Sequence, residues 1–412
     1  MTTAALPSPG PSAGLDLATS RRNVLVLAIA QGLFTMVMST MITEAALIGS
    51  ALASHPWLVT LPIALQQLVI MLTLFPASLF MQRLGRRAGF TIGAAFGIAG
   101  TAVATLGVLQ QSFWLFCAGA ALSGVNGGFG QFYRFAAIDG SVPEWKSRAI
   151  SFTLAGGVIA ALLGPELAKR TQDLLPQAHF AGSFAMLVVV AIVAFVVLQF
   201  IRIPLPTATE RAEATRPLGV IAHNPAFLIA LGAAVVGYAG MAFVMTVTPL
   251  AMAAHHHSFE SAAFVIQWHV LAMFAPSFFT GTLIARFGAA RILLIGSLLF
   301  AGCIAVNLSG TDVSRFWIGL FLLGLAWNFL YVGGTTLLTS TYLPAEKAKV
   351  QAANDFVIFG TVTVATFFSG SLLNALGWAA LNLIVAPFVL LTFLAILWLV
   401  WAGARANRVA AT

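Results

Sequence analysis

Apolar residues run through this chain in long blocks separated by short polar gaps, and the blocks are too long for strands or soluble-core helices. A helix needs roughly 20 mostly apolar residues to cross a bilayer. Twelve such blocks are read, at 24–50, 58–81, 88–109, 112–133, 150–168, 181–203, 225–250, 261–284, 291–309, 316–338, 355–373 and 379–402. Several contain Gly, Pro or Ser, which membrane helices tolerate because neighbouring groups re-satisfy the backbone. The pattern predicts an all-α membrane protein with twelve transmembrane helices in two six-helix halves. Residues 1–20, rich in Pro, Gly, Ser, Thr and Ala, are expected to be a disordered cytoplasmic tail. The run after Arg21-Arg22 is too long for the apolar core of a cleaved signal peptide.

Composition sharpens this picture. The chain has 412 residues, of which 60% are hydrophobic and 8% charged. Soluble domains average about 25% charged residues, so the excess apolar surface must face lipid. The net charge of +8 does not indicate a nucleic-acid partner, because the basic residues are spread through the gaps between spans. Seventeen of the 20 Lys and Arg fall on one side of a twelve-span layout, and only Lys169, Arg170 and Arg315 on the other. The positive-inside rule then puts both termini in the cytoplasm. Cys117 and Cys303 stand far apart in apolar runs and offer neither a disulfide framework nor zinc spacing.

The chain also repeats itself. Arg83-Leu84-Gly85-Arg86-Arg87 follows the second span, and Arg286-Phe287-Gly288-Ala289-Ala290-Arg291 follows the eighth, 203 residues later. Pro143-Glu144-Trp145-Lys146-Ser147-Arg148 follows the fourth span, and Pro344-Ala345-Glu346-Lys347-Ala348-Lys349 the tenth, 201 residues later. Two landmarks with nearly one offset indicate a duplicated unit. The halves are expected at 21–203 and 225–405, joined by a polar cytoplasmic linker at 204–224.

Six plus six helices with a basic, glycine-containing turn at corresponding places resemble the major facilitator superfamily. The family's loop signature aligns with Ser78, Gln82, Arg83, Gly85, Arg86 and Arg87, and again with Gly281, Ala285, Arg286 and Gly288; Gln82 and Ala285 depart from it, standing where the signature carries Asp. The resemblance covers about 21–405. It implies a carrier that works by alternating access around a site near the bilayer midplane, with Arg83, Gly85, Arg86, Arg286 and Gly288 in gating loops.

Charges inside the membrane are costly and therefore candidates for function. They are Glu44 in the first span, Glu166 and Asp355 near span ends, and His269 in the eighth. No Lys or Arg is expected deep in the membrane, so the cavity reads as neutral, with soft and aromatic groups. The seventh span carries Met241 and Met245, and the eighth His269 and Met273, each pair at i,i+4. If the hairpin tip lies near His257, Met245 and His269 are equally distant from it, as are Met241 and Met273. The four side chains would then form two rungs, and thioether with imidazole favours Cu(I). Ordinary packing by Met is the competing reading.

The same pairing is similar to the CcoA-type copper importers, a bacterial branch of the superfamily that supplies cytochrome oxidase assembly. That resemblance implies copper import across the bacterial inner membrane by a monomer, with Met241, Met245, His269 and Met273 as ligands. Copper would be the cargo, and no resident cofactor is expected. Met38, Met41, His255, His256 and His257 are candidates for extra ligands or an entry site, and Glu44 for proton coupling. Other members of that branch are assigned riboflavin transport. The alternative is therefore riboflavin or another small neutral organic molecule, stacked on Trp268, Trp327, Phe274 and Tyr331. A non-transporting assembly factor or sensor is a further alternative. No nucleophile–base set, GxGxxG or P-loop supports an enzyme.

Overall fold

A computed structural model describes residues 16–142, 146–176, 178–204, 216–343 and 346–410. Residues 1–15 of the expected tail, most of the linker (205–215, including Arg211), and Pro143, Glu144, Trp145, Pro344 and Ala345 of the second repeat landmark lie outside the described residues. The described residues from 17 to 20 are helical rather than tail, because the Asp16 carboxylate accepts the amide of Thr19 at 2.7 Å and caps the first helix.

Twelve spans follow in order. They are α1 (Leu17–Leu52), α2 (Leu61–Leu84), α3 (Arg86–Leu109), α4 (Phe113–Gly130, continuing as Tyr133–Asp139), α5 (Lys146–Thr171) and α6 (Ala181–Leu198). After a short helix at Leu218–Ala222 come α7 (Pro225–Ala254), α8 (Phe259–Phe274 and Ser277–Phe287), α9 (Ala289–Leu308) and α10 (Val313–Thr339). The last helical stretch, Lys347–Ala410, is broken at Gly377, whose φ of 78° lies in the left-handed region. That break divides it into α11 (347–376) and α12 (378–410). Length and apolar content alone pick out eight spanning helices among the described residues, or nine with the pair in α8 that meets at 41°. The break at Gly377 adds one. The remaining two are α4, diluted by five glycines and Asn126, and α5, which carries charges at both ends.

Polar residues set several helix starts. The side chains of Ser112, Asn224, Ser258 and Asp312 each accept a backbone N–H in the first turn of α4, α7, α8 and α10. Gly85 and Gly288, 203 positions apart, have φ of 89° and 84° and let α2 and α8 reverse into α3 and α9 within one residue.

Packing repeats as the sequence does. α1 packs on α5 as α7 does on α11, α2 on α4 as α8 on α10, and α3 on α6 as α9 on α12. The α1–α5 approach depends on Gly156, where a Cβ would lie 1.8 Å from the carbonyl oxygen of Ala28. Each half has its own buried cluster, around Phe116 and Phe184 in the first and Phe300 and Leu323 in the second. Large apolar side chains such as Leu25, Trp114, Phe200 and Leu391 point outward and exposed, as a lipid-facing surface requires. The halves adjoin along α2–α11 and α5–α8.

Candidate functional site

Between the halves lies a cavity of about 130 Å³. Its walls come from α1, α2, α4 and α5 on one side and α7, α8 and α10 on the other. The first half contributes Gln31, Thr35, Ser39, Gln67, Gln131 and Arg134, with Phe34, Met38 and Ile70 between them. The second contributes Tyr238, Phe274, Trp327 and Tyr331, with Met241, Met245 and Met273. The aromatic groups form one cluster. Trp327 and Tyr331 stack at 5.1 Å and 21°, and Tyr238 and Phe274 meet Trp327 edge-on at 5.6 and 5.7 Å. Three buried lining atoms have no hydrogen-bond partner among the described residues: Gln67 Oε1, Arg134 Nε and Trp327 Nε1. Buried polar atoms are normally paired, so these three side chains carry unused hydrogen-bonding capacity beside the cavity.

The four expected ligand residues do not converge. Met241, Met245 and Met273 line the cavity, but His269 is absent from its wall. On α8 the lining stripe is Val270, Met273 and Phe274, and His269 sits about 100° around the helix from Val270. Its Nδ1 lies 2.6 Å from the carbonyl oxygen of Leu320 on α10. Gly324 keeps the two helices in close contact there, since a Cβ on it would approach the His269 carbonyl oxygen to 2.5 Å.

The accessory candidates also scatter. Met38 lines the cavity, whereas Met41 is buried in the first half's packing. His255 and His256 are exposed at the end of α7, and His257 places Nε2 2.7 Å from the carbonyl oxygen of Thr311. No group of three or more His, Cys, Asp or Glu suited to a metal occurs among the described residues. Glu44 is fully buried in α1, with neither carboxyl oxygen hydrogen-bonded among the described residues, and it does not line the cavity. Of the aromatic candidates, Trp327, Phe274 and Tyr331 reach the cavity. Trp268 instead joins Phe264, Trp317 and Phe321 away from it.

The expectation of a cavity without deep basic residues is overturned by Arg134. Its guanidinium lies on the cavity wall, donates to the Tyr331 hydroxyl at 2.6 Å and faces Asp355 at 3.5 Å. The fourth span was expected to end at 133, just before Arg134, but helix continues over Tyr133–Asp139. Asp355, expected at a wet helix end, lies two turns inside α11, which begins at 347.

Contacts between the halves flank the cavity at both ends. Towards the chain termini are Arg134–Asp355 and the Phe75–Phe356 ring contact at 5.9 Å. At the opposite end Lys169 meets Glu260 at 3.1 Å, the Thr60 hydroxyl donates to the carbonyl of Phe367 at 3.0 Å, and Phe180 packs on Phe259. In the loop after α2, Arg86 pairs with Asp139 of α4 at 2.8 Å. Asp139 thus supplies Arg86 with an acidic partner, while Gln82 stands near the end of α2. Arg286 in the second copy lies over the ring of Phe287.

A central, mostly apolar cavity between two six-helix repeats, with contacts to break at either end, defines a membrane carrier. The chain matches the Major Facilitator Superfamily over residues 24–266 and 229–411, and it belongs to that superfamily. It is 44% identical over 378 residues to the riboflavin transporter RfnT of Brucella anthropi, covering 91% of this chain and 95% of the relative. It is 27% identical to the MFS-type transporter YdeG of Bacillus subtilis, over 92% of each chain. The crystal structure of the human organic anion transporter MFSD10 superimposes with a TM-score of 0.68 at 14% identity, over 92% of this chain and 99% of that one. That likeness shows the fold alone.

The 44% relative overturns the copper expectation. Copper as cargo and partner, the CcoA-type assignment and a role in cytochrome oxidase assembly are withdrawn. The Met pair of α7 and Met273 are cavity-lining apolar groups in a fold whose named relative carries a flavin.

Proposed function

We propose that this chain carries riboflavin across the bacterial cytoplasmic membrane by alternating access, with both termini in the cytoplasm. The observation that carries the reading is the aromatic cluster of Tyr238, Phe274, Trp327 and Tyr331 on one wall of the cavity, facing amide and hydroxyl groups on the other. It is supported by the 44% identity to a riboflavin transporter over nearly the whole chain. An isoalloxazine is flat, apolar on its faces and polar along one edge. Aromatic side chains offer it offset or edge-on contacts. Gln31, Gln67, Gln131 and Arg134 line the cavity as hydrogen-bonding side chains for the polar edge. Arg83, Gly85, Arg86, Arg286 and Gly288 act at the reversals between helices, where the rocking halves must turn.

Glu44 is the proposed proton-carrying group. A carboxylate fully buried there, with no cation beside it and only the Ser183 hydroxyl near, is costly when charged, so its charge state can be tied to which side the site faces. The test is counterflow in proteoliposomes of the purified chain preloaded with riboflavin, which reads exchange whatever the direction of net transport. Labelled riboflavin should accumulate inside beyond protein-free controls, and failure to exchange would reject the assignment. Glu44→Gln should keep counterflow and lose accumulation driven by an imposed pH gradient. Accumulation equal to wild type would remove Glu44 from coupling.

A further inference from the structure

Arg134 is the one charged side chain on the cavity wall among the described residues. A guanidinium at this depth needs compensation, and the structure supplies it from behind the wall. Asp355, which does not itself line the cavity, faces Arg134 Nη2 at 3.5 Å, with the two side chains only 14% and 9% exposed. The carboxylate is fixed from its other oxygen by Asn354 Nδ2 at 3.1 Å. On the same guanidinium Nη1 is committed to the Tyr331 hydroxyl, while Nε has no partner. Arg134 thus lines the cavity as a hydrogen-bond donor group whose charge is balanced by Asp355.

We propose that the Arg134–Asp355 pair sets the charge selectivity of the carrier, accepting neutral ring-bearing molecules and excluding their phosphorylated forms. A neutral carbonyl edge needs only the donor. A phosphate would have to shed its water against a cation already neutralised, and would meet the carboxylate behind it. Exclusion by a built-in mismatch is a general route to specificity. The inference rests on the flavin reading and names Arg134 and Asp355 as its specificity determinants.

The experiment is competition in the counterflow assay: labelled riboflavin against unlabelled riboflavin and against its phosphate monoester. The readout is the ratio of the two half-inhibiting concentrations. In the wild type the monoester should be weaker by about tenfold or more, and Asp355→Asn, which leaves Arg134 uncompensated, should reduce that ratio by about tenfold. The double variant Arg134→Gln/Asp355→Asn, neutral again, should restore it. If Asp355→Asn does not reach the membrane, Arg134→Gln decides the matter. With Asp355 alone left, the ratio must rise above wild type. A wild-type ratio near one, or the same ratio in wild type and either single variant, overturns the inference while leaving flavin transport standing. Absence of riboflavin exchange by the wild type would instead remove the flavin reading, and this inference with it.

Discussion

The two walls of the central cavity come from copies of one duplicated unit, yet they differ in chemistry. The wall from α1, α2 and α4 presents Gln31, Thr35, Gln67, Gln131 and Arg134, while that from α7, α8 and α10 presents Tyr238, Phe274, Trp327 and Tyr331. The helix pairings behind them are the same in both halves. The two halves thus supply equivalent frames, and the lining residues differ, one wall aromatic and the other carrying amides, hydroxyls and a guanidinium. The division suits a flat molecule with polarity on one edge better than a spherical ion, which would draw like ligands from both sides.

Substitutions on each wall sharpen this contrast. The largest effect is expected from Trp327→Ala, which removes the centre of the aromatic cluster. It should raise the half-saturating riboflavin concentration in counterflow by about tenfold or more. An unchanged value would place the ring elsewhere. Gln67→Ala takes one amide from the polar wall, and a hydrogen bond contributes about 1 kcal/mol net, so about a fivefold change is expected. His269→Ala lies behind the aromatic wall. It should leave riboflavin exchange as in wild type and lower the melting temperature, because the carbonyl of Leu320 loses its imidazole partner. A loss of exchange at unchanged stability would put His269 back into the site.

The smallest effect concerns Glu346, outside both walls at the α10–α11 turn. Arg216, just before α7, donates to both its oxygens at 2.7 Å and holds its carboxyl at about 2, below the usual 4.5. A depressed carboxyl contributes stability that is complete above its unfolded value and is lost as pH falls through its folded one. The drop in melting temperature caused by Glu346→Gln should therefore be constant above about pH 4.5 and shrink below it. A drop that grows with acidity would show that Arg216 is not the cause.

Much of the frame was legible in the sequence, because apolar block length and the 203-residue spacing of Gly85 and Gly288 reflect hard constraints of the bilayer and of the backbone. The placement of Met241, Met245 and Met273 on the cavity was legible too, from helical spacing on adjacent spans. His269 was misplaced because i,i+4 spacing leaves a further rotation of about 40°. That rotation is enough to move it from the stripe of Met273 to the contact with α10. Arg134 and Asp355 were placed at wet span ends because each stands at the edge of an apolar block in the sequence. Only the tertiary structure shows two polar stretches, 221 residues apart, compensating each other. The cargo was the least legible, since soft apolar side chains such as Met serve a metal and a ring face equally well.

The central claim is that a flavin ring is held against the aromatic wall of α7, α8 and α10. Flavin emission is quenched when the ring stacks on Trp or Tyr, so titration of riboflavin with the purified chain tests it directly. Saturable quenching is expected with the wild type, and a curve shifted to about tenfold higher protein concentration with Trp327→Ala. No saturable quenching, or identical curves for the two proteins, would contradict it.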